Sequence, residues 1–319
     1  MRYRTGVIGC GQIATGFGLS HKASRNSTHL GAYQLCRSTD VISVADRDPQ
    51  MLGNCMKQWN ISSGYRDYKE MLKKEPLDIV SICVPTENHF EIFKNCIEHG
   101  IKGIILEKPI SYHPDQALEM VEIGQNTTVA VNYFRRWNES IVNLRSRICK
   151  GEFGSAELCT VHYNKGVFVN GSHFIDLMRW IFGEVLEVNL LRTVDDNKID
   201  PSVDYSLTFP NNLIVHFLNH SPCSYNFSQV DILLAKQRIT IGQRGRNLSF
   251  SPIEIDPNHG NFHVVGNPIT IETEWKNCFL NVVENVVNVV TNGGDIACTL
   301  EDGLKAVQIC HQLQLKRTV

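Results

Sequence analysis

The sequence predicts an α/β protein with a doubly wound parallel sheet in its first half and an α+β domain with a large open, mainly antiparallel sheet in its second. A glycine-rich turn follows a short apolar run near the N-terminus, and strand-like and helix-like segments then alternate to about residue 134. Short strand-like runs separated by turns dominate after that point. The 319 residues therefore divide into two predicted domains, 1–134 and 135–319.

The glycine-rich turn carries the first functional signal. Val7 and Ile8 lead directly into Gly9-Cys10-Gly11-Gln12-Ile13-Ala14, which matches the G-x-G-x-x-G/A fingerprint of a dinucleotide-binding Rossmann unit. In such a unit the first glycine makes the tight turn, and the second lets the backbone approach a pyrophosphate. Unpaired N–H groups at the following helix start attract phosphate. A tight turn without a ligand is the alternative. The cofactor contacts predicted here are Gly9, Cys10, Gly11, Gln12 and Ile13.

The second predicted strand, Val41 to Asp46, ends in an acid. Asp46 would accept hydrogen bonds from the adenosine ribose and repel a 2′-phosphate, which favours NAD. Arg47 could accommodate that phosphate, so NADP stays open and both residues are predicted cofactor contacts. Asp46 lies 46 − 14 = 32 residues beyond Ala14 rather than about 20. We infer an insertion at Thr15 to Thr28, which is either a lid or a surface loop.

Three further predicted strands complete the parallel sheet: Asp78 to Val84, Gly103 to Leu106 and Thr128 to Tyr133. Ligands of doubly wound sheets bind beyond the carboxyl ends of the strands. Polar or turn residues follow each of these strands. The sequence therefore predicts further cofactor contacts at Val84, Pro85, Thr86, His89, Glu107, Lys108 and Asn132.

The second half has a different pattern. Helices are predicted from Asn138 to about Lys150, from Ser172 to Phe182, from Trp275 to Thr291 and from Leu300 to Leu315. Gly183 ends the second of these helices. The predicted strands are Ala156 to Tyr163, Val185 to Val194, Tyr205 to Phe209, Leu213 to Leu218, Val230 to Ala235 and Arg238 to Ile241.

Two residues are candidates for catalysis. Lys108 follows a predicted strand in Glu107-Lys108-Pro109, where the proline favours extended geometry at the lysine and directs it into the ligand crevice. His173 lies near the start of the Ser172 to Phe182 helix, whose positive end disfavours imidazolium and keeps the ring neutral, as a general base requires. A core or capping histidine is the alternative reading of His173.

Four motifs in order now resemble those of the Gfo/Idh/MocA oxidoreductases, the glucose–fructose oxidoreductase and inositol dehydrogenase group. They are Gly9 to Ala14, Pro85-Thr86 with His89, Glu107-Lys108-Pro109, and Gly171-Ser172-His173 with Asp176. The resemblance implies a nicotinamide cofactor, a sugar, cyclitol or sugar-nucleotide substrate, and a homodimer or homotetramer built through the open sheet. It also implies that Lys108 contacts the reacting hydroxyl and the cofactor, and that His173 is the acid/base.

One position departs from the family. Many sugar and inositol dehydrogenases of this group carry an aspartate four residues before the histidine, where this chain has Val169. Lys108 and His173 therefore remain as the predicted catalytic pair. The predicted substrate contacts are Lys108, Arg135, Arg136, Trp137, Tyr163, Asn170 and His173. A solvated charged turn is the alternative for residues 135–137.

The predicted reaction is hydride transfer from a secondary alcohol to nicotinamide, with His173 taking the hydroxyl proton and Lys108 donating to the developing oxyanion. Two alternatives stay open. One is a redox-neutral enzyme of the epimerase or glycosidase type that retains its cofactor. The other is a catalytically weak NAD-binding sensor or scaffold, which the absent aspartate allows.

Composition excludes other classes. The formal net charge is -2 and the pI about 6.6, which gives no reason to expect nucleic acid or an anionic membrane as a partner. No apolar run approaches the length of a spanning helix, and the N-terminus lacks the apolar region of a signal peptide. We therefore expect a cytoplasmic protein. No C-x-x-C pair is present, and no metal is predicted.

Overall fold

The structure is a computed structural model that describes residues 2–16, 26–220, 225 and 227–317. The chain forms two compact units: Met1–Trp137 with Lys276–Val307, and Asn138–Trp275 with Gln308–Val319. The domains expected from the sequence, 1–134 and 135–319, differ from these units in two respects: the first boundary follows Trp137, and each unit is made of two separate segments of the chain. The chain returns to the first unit at Lys276 and leaves it again after Val307.

Strands and helices follow one another along the described chain. The strands are β1 Tyr3–Ile8, β2 Thr39–Ala45, β3 Ser63–Tyr65, β4 Ile79–Ile82, β5 Gly103–Leu106, β6 Thr128–Val131, β7 Ala156–Tyr163, β8 Glu187–Asp195, β9 Ser202–Thr208, β10 Ile214–Asn219, β11 Gln229–Leu234, β12 Gln237–Gly242, β13 Asn247–Ile255, β14 His263–Val265 and β15 Ile269–Glu272. The helices are α1 Gln12–Thr15, α2 His29–Leu35, α3 Pro49–Trp59, α4 Tyr68–Lys74, α5 His89–Glu98, α6 Pro114–Ile123, α7 Glu139–Cys149, α8 Ser172–Phe182, α9 Cys278–Asn292 and α10 Leu300–Lys316.

The first unit contains a six-stranded parallel sheet in the order β3-β2-β1-β4-β5-β6. Every residue of β4 and β5 is buried, as expected for strands covered on both faces. The strand order reverses between β1 and β4, which opens a crevice at the carboxyl ends of these strands. The sequence-based prediction of a doubly wound parallel sheet is confirmed.

Local signals define several helix boundaries. The Asp48 side chain accepts hydrogen bonds from the amides of Gln50 and Met51, and Pro49 occupies the first position of α3. Thr28 caps α2 in the same way through the amide of Gly31. Helix α8 has the predicted bounds, and Gly183 ends it with φ +96°. The proposed Thr15 to Thr28 insertion falls mostly on residues 17–25, which lie outside the described residues.

The second unit contains a nine-stranded sheet in the order β14-β13-β12-β11-β7-β10-β9-β8, with β15 also paired to β13. Its pairs are antiparallel except β10 with β7, which confirms a mainly antiparallel sheet. In β11, Val230, Ile232 and Leu234 are buried and alternate with half-buried residues, so the sheet has one apolar face. Strands β13 to β15 were not predicted, because β14 and β15 are exposed throughout and lack a buried alternation.

Helix α9 was predicted as part of the second domain, yet it packs on β5 and β6 of the first unit. Gly103 permits this approach, since an added Cβ would lie only 2.8 Å from a methyl of Val286.

Among the described helices, none combines the length and apolarity that crossing a bilayer requires.

Candidate cofactor and catalytic site

The glycine turn has the geometry that its pattern predicts. Gly9 adopts φ +95°, and a Cβ added there would lie 2.5 Å from the carbonyl oxygen of Cys83. Glycine is therefore required at this position, both for the backbone conformation and for the close approach of β4. An added Cβ on Gly11 would meet no atom within 4 Å, so this part of the turn borders open space. Helix α1, which follows, has only one turn.

A cavity of about 530 Å³ lies beside this turn in the first unit. Its lining includes predicted contacts from three strand ends, namely Gly9, Gly11, Asp46, Arg47, Val84 and Pro85. The sequence reading missed Arg66, Asp67, Tyr68, Asn88 and Ile92, which also line it. Residues 66–68 follow the three-residue strand β3, which is too short to produce a hydrophobic pattern. Only the pairing of β3 with β2 brings them to the cavity.

Asp46 is fixed at the carboxyl end of β2 by backbone amides. The N–H of Cys10 donates to Oδ2 at 2.7 Å, and the N–H of Asp48 donates to Oδ1 at 2.9 Å. Each carboxylate oxygen keeps a further lone pair for a ribose hydroxyl. The Cys10 thiol is buried, so the backbone rather than the side chain of this residue borders the turn.

The residues of the first unit fit a dinucleotide. Gly11 leaves room for a pyrophosphate, Gln12 and Ile13 are exposed at the start of α1, and Asp46 offers acceptors for a ribose. At the carboxyl end of β6, Asn132 is buried, and its Oδ1 has no hydrogen-bond partner among the described residues. A buried amide oxygen of this kind can accept a hydrogen bond from a ligand.

Glu107 is a buried carboxylate at the carboxyl end of β5. Its Oε1 accepts hydrogen bonds from His29 Nε2 at 2.8 Å and from Asn132 Nδ2 at 2.6 Å. Burial by itself raises the pKa of Glu107, but the His29 contact, the charge of Lys108 and the Asn132 bond outweigh burial and lower that pKa below its usual value. Glu107 is therefore ionised at neutral pH. Lys108 follows it, half-buried and joined to Pro109 by a cis peptide bond.

His89 is also buried, at the start of α5. Its Nδ1 lies 2.9 Å from the Pro109 carbonyl oxygen, and its Nε2 lies 2.9 Å from the Val84 carbonyl oxygen. Burial lowers the pKa of His89, against the opposing effects of these carbonyls and of Glu107. Both ring nitrogens of His89 therefore lie within hydrogen-bond distance of backbone carbonyl oxygens. This geometry indicates that His89 supports the backbone at residues 84 and 109, and its predicted cofactor contact stays a prediction.

Two predicted substrate contacts have structural partners instead. Arg136 is buried and forms two hydrogen bonds with the carboxylate of Asp302, at 3.0 and 2.9 Å. Trp137 is buried, and its Nε1 donates to Asn285 Oδ1 at 3.1 Å. Both residues therefore hold the first unit together, and their predicted contacts with substrate stay a prediction. Arg135 is buried with its guanidinium 4.8 Å from the Phe134 ring centroid.

In the second unit, His173 lies in the first turn of α8 and is half-buried. The π-helical turn Val167–Gly171 leads into this helix, and the Asp200 carboxylate accepts the amide hydrogen of Phe168 at 2.7 Å. Asn170 Nδ2 donates to Asn164 Oδ1 at 2.8 Å, so this amide already has a protein partner.

Tyr163 is fully buried, and its hydroxyl donates to the Val203 carbonyl oxygen at 2.5 Å. Burial raises the pKa of this phenol well above its usual value. Tyr163 therefore has a packing role, and its predicted contact with substrate stays a prediction. Within the described ranges, no group of three or more His, Cys, Asp or Glu side chains is arranged to hold a metal ion. Lys108 belongs to the first unit and His173 to the second.

Residues 3–133 match the family model GFO_IDH_MocA, described as "Oxidoreductase family, NAD-binding Rossmann fold". The chain is 22% identical to the uncharacterized oxidoreductase YrbE of Bacillus subtilis, over 97% of this chain and 93% of that protein. It is 23% identical to an inositol 2-dehydrogenase of Rhizobium meliloti, over 97% of this chain and 95% of that one.

The fold is also found among solved structures. An oxidoreductase from Agrobacterium radiobacter, solved in complex with NAD+, L-tartaric acid and magnesium, superimposes with a TM-score of 0.77 at 18% identity. The match covers 99% of this chain and 97% of that chain.

Proposed function

We propose that this chain is an NAD-dependent dehydrogenase of the Gfo/Idh/MocA oxidoreductase family that oxidises a secondary hydroxyl of a sugar, cyclitol or nucleotide sugar, since its residues 3–133 match the model of that family. The observation that carries this proposal is the position of Lys108. It follows β5 at the carboxyl edge of the sheet that forms the dinucleotide crevice, directly after the fixed and ionised Glu107. The inositol 2-dehydrogenase relative supports a polyol substrate.

Different residues of the chain would bind the cofactor and act on the substrate. Bound NAD supplies the hydride acceptor. Gly9, Gly11 and the start of α1 would hold its pyrophosphate, and Asp46 would hold the ribose. Lys108 donates a hydrogen bond to the substrate oxygen as negative charge develops on it. Among the other predicted contacts, Asn132 offers its buried Oδ1 to the cofactor, and Arg135 and Asn170 remain proposed substrate contacts.

His173 is the proposed general base. It lies in the first turn of α8, where the positive end of the helix disfavours an imidazolium and keeps the ring able to accept a proton. The proton of the substrate hydroxyl passes to His173 while Lys108 stabilises the oxygen left behind. Val169 lies four residues before it, so the proposed pair acts without an aspartate at that position.

Turnover of a panel of sugars, cyclitols and nucleotide sugars, followed by the absorbance of reduced nicotinamide, tests this function. Lys108→Ala should lower kcat about 10²–10³-fold, the usual effect of losing one oxyanion donor. His173→Ala should lower it about 10²–10⁴-fold and remove the acidic limb of the pH–rate profile.

The double variant should be scarcely slower than the slower single variant, because residues that act as a unit are not additive. Circular dichroism must show that each variant is folded, since α8 packs through Phe174 and Leu177. A folded His173→Ala protein with unchanged activity and pH profile would remove His173 from the proposal.

The valine at position 169 favours a second candidate, an NAD-binding sensor or scaffold with little catalysis. The same panel distinguishes the two. Tight NAD binding in calorimetry without turnover of any member would favour the sensor. Purified protein that carries tightly bound reduced nicotinamide would instead favour a redox-neutral reaction with a retained cofactor.

We also propose that the open sheet of the second unit mediates self-association. Its edges and open face carry exposed apolar residues, among them Leu158 and Ile214. Light scattering at micromolar concentration should show more than one chain per particle. A monodisperse monomer would refute this part of the proposal.

A further inference from the structure

A chain of buried hydrogen bonds runs through the first unit to the residue before Lys108. Tyr33 and His29 lie on α2, one helical turn apart, and both contact Ser81 on β4. The Tyr33 hydroxyl lies 2.8 Å from Ser81 Oγ, and His29 Nδ1 lies 2.9 Å from the same oxygen. On its other side, His29 Nε2 lies 2.8 Å from Glu107 Oε1. The exposed fraction of Tyr33, His29 and Ser81 is at most 1%.

The first donor in this chain can be assigned. Burial raises the pKa of the Tyr33 phenol well above its usual value, so Tyr33 stays protonated and donates to Ser81. The Ser81 hydroxyl has one proton and lies between Tyr33 and His29 Nδ1, and His29 Nε2 faces the carboxylate of Glu107.

Phe279 fixes the plane of the His29 ring from a third side, with ring centroids 5.3 Å apart at an interplanar angle of 86°. The chain also ends inside the protein, because Tyr33 is fully buried. A proton passed along it would have no exit through Tyr33. This arrangement suits the orientation of a group better than the transport of a proton.

Lys108 thus lies between two residues that buried histidines hold. His29 binds the Glu107 carboxylate on one side, and His89 contacts the Pro109 carbonyl on the other. The charge of Lys108 contributes to keeping Glu107 ionised, so the two side chains are electrostatically coupled. Asn132 donates to the same Glu107 oxygen as His29 does.

We propose that His29 is a positioning residue for Lys108: it holds the Glu107 carboxylate in one orientation, and Glu107 in turn keeps a negative charge beside the lysine. This inference rests on the proposed catalytic role of Lys108. Loss of the His29 N–H would leave a buried carboxylate without one of its two donors, which favours the protonated acid. The ammonium of Lys108 would then lose a nearby negative charge, and its free amine form would become more abundant.

The reactivity of the Lys108 amine tests this directly in the full-length protein. Acetic anhydride labels free amines, and peptide mass spectrometry gives the rate at Lys108 relative to exposed Lys57 of α3 as an internal reference. His29→Ala and Glu107→Gln should each raise this ratio about 3- to 10-fold at neutral pH, which corresponds to the loss of a neighbouring charge. The double variant with both substitutions should raise the labelling ratio little beyond the larger single effect.

Two variants serve as controls. His29→Gln retains an amide donor toward Glu107 and should keep the ratio within about twofold of the wild type. Tyr33→Phe removes only the far end of the chain and should also stay within about twofold. If His29→Ala fails to fold, Glu107→Gln and His29→Gln still decide the question. Thermal denaturation of each variant separates a change in reactivity from a general loss of stability.

An unchanged ratio in both His29→Ala and Glu107→Gln would overturn the inference. So would an equal rise in Tyr33→Phe, which would indicate that any loosening of this core exposes Lys108. The measurement needs no substrate and no turnover. Failure to find a sugar that the protein oxidises would therefore not contradict the positioning role of His29. An unchanged labelling ratio would likewise not contradict the proposed dehydrogenase activity.

Discussion

The guanidinium of Arg136 forms two hydrogen bonds to the carboxylate of Asp302, at 3.0 and 2.9 Å, although 166 residues separate them in the chain. The Arg136 side chain is 5% exposed and that of Asp302 is 24% exposed. A third bond, from the same guanidinium to the Ala297 carbonyl, joins the segment after β6 to the segment before α10. The pair therefore fixes the start of α10 within the first unit.

We predict that Arg136→Ala lowers the free energy of unfolding by about 3 kcal/mol, because it removes a buried guanidinium that binds both oxygens of the half-buried Asp302 carboxylate and the Ala297 carbonyl. Arg147→Ala is the matched control. Arg147 also binds a carboxylate through two nitrogens, that of Glu152, but both side chains are more than a third exposed. Its loss should cost about 1 kcal/mol or less. Urea denaturation measures both, and equal losses would contradict the prediction.

Gly9 should not tolerate a side chain. At φ +95°, alanine costs about 1–3 kcal/mol from backbone conformation alone, and its Cβ would overlap the Cys83 carbonyl. Gly53→Ala in α3 is the control, since an added Cβ there meets no atom within 4 Å. That change should be neutral or stabilise by up to about 1 kcal/mol. We expect Gly9→Ala to weaken NAD binding in calorimetry as well. Full stability and affinity in Gly9→Ala would refute the assignment of the turn.

Asp46 should decide between NAD and NADP. Its carboxylate is fixed by the Cys10 and Asp48 amides and would repel a 2′-phosphate. We predict that the protein binds NAD more tightly than NADP, and that the difference between the two affinities is smaller in Asp46→Ser. Asp40 lies on β2 and pairs with Arg2, so Asp40→Asn should leave the difference between the NAD and NADP affinities unchanged. Equal affinities in the wild type would mean that Arg47 and Arg66, both at the cavity, outweigh Asp46.

The free energy of unfolding should decrease as the pH falls below about 6.5, because His89 is buried. Burial lowers its folded-state pKa from 6.5, so the folded ring is neutral while the unfolded ring takes up a proton. The contribution of His89 is therefore fully present above pH 6.5 and is lost as pH falls through the folded-state pKa. His89→Asn should reduce the slope of unfolding free energy against pH in this range. His263→Asn, at an exposed position, is the control, and an identical slope in His89→Asn would contradict the prediction.

Part of the site could be predicted from local pattern. The glycine fingerprint, the acid that ends the second strand and the lysine after β5 are each defined by neighbours in the chain. The protein partners of Arg136 and Trp137 lie on residues 302 and 285, which are half-buried, and no pattern near residue 136 indicates them. Strands β14 and β15 were not predicted from the sequence; they are only three and four residues long, and all of their residues are exposed.

The sequence by itself determined the fold class, the dinucleotide turn and the position of Lys108, because periodicity and glycine geometry depend on residues a few positions apart. The tertiary structure alone decided what each buried polar side chain binds. His29 reaches Glu107 across 78 residues and Asp46 reaches Cys10 across 36. A buried polar atom needs a partner in space wherever it lies in the chain. The spacing of residues along the chain carries no signal for such pairs.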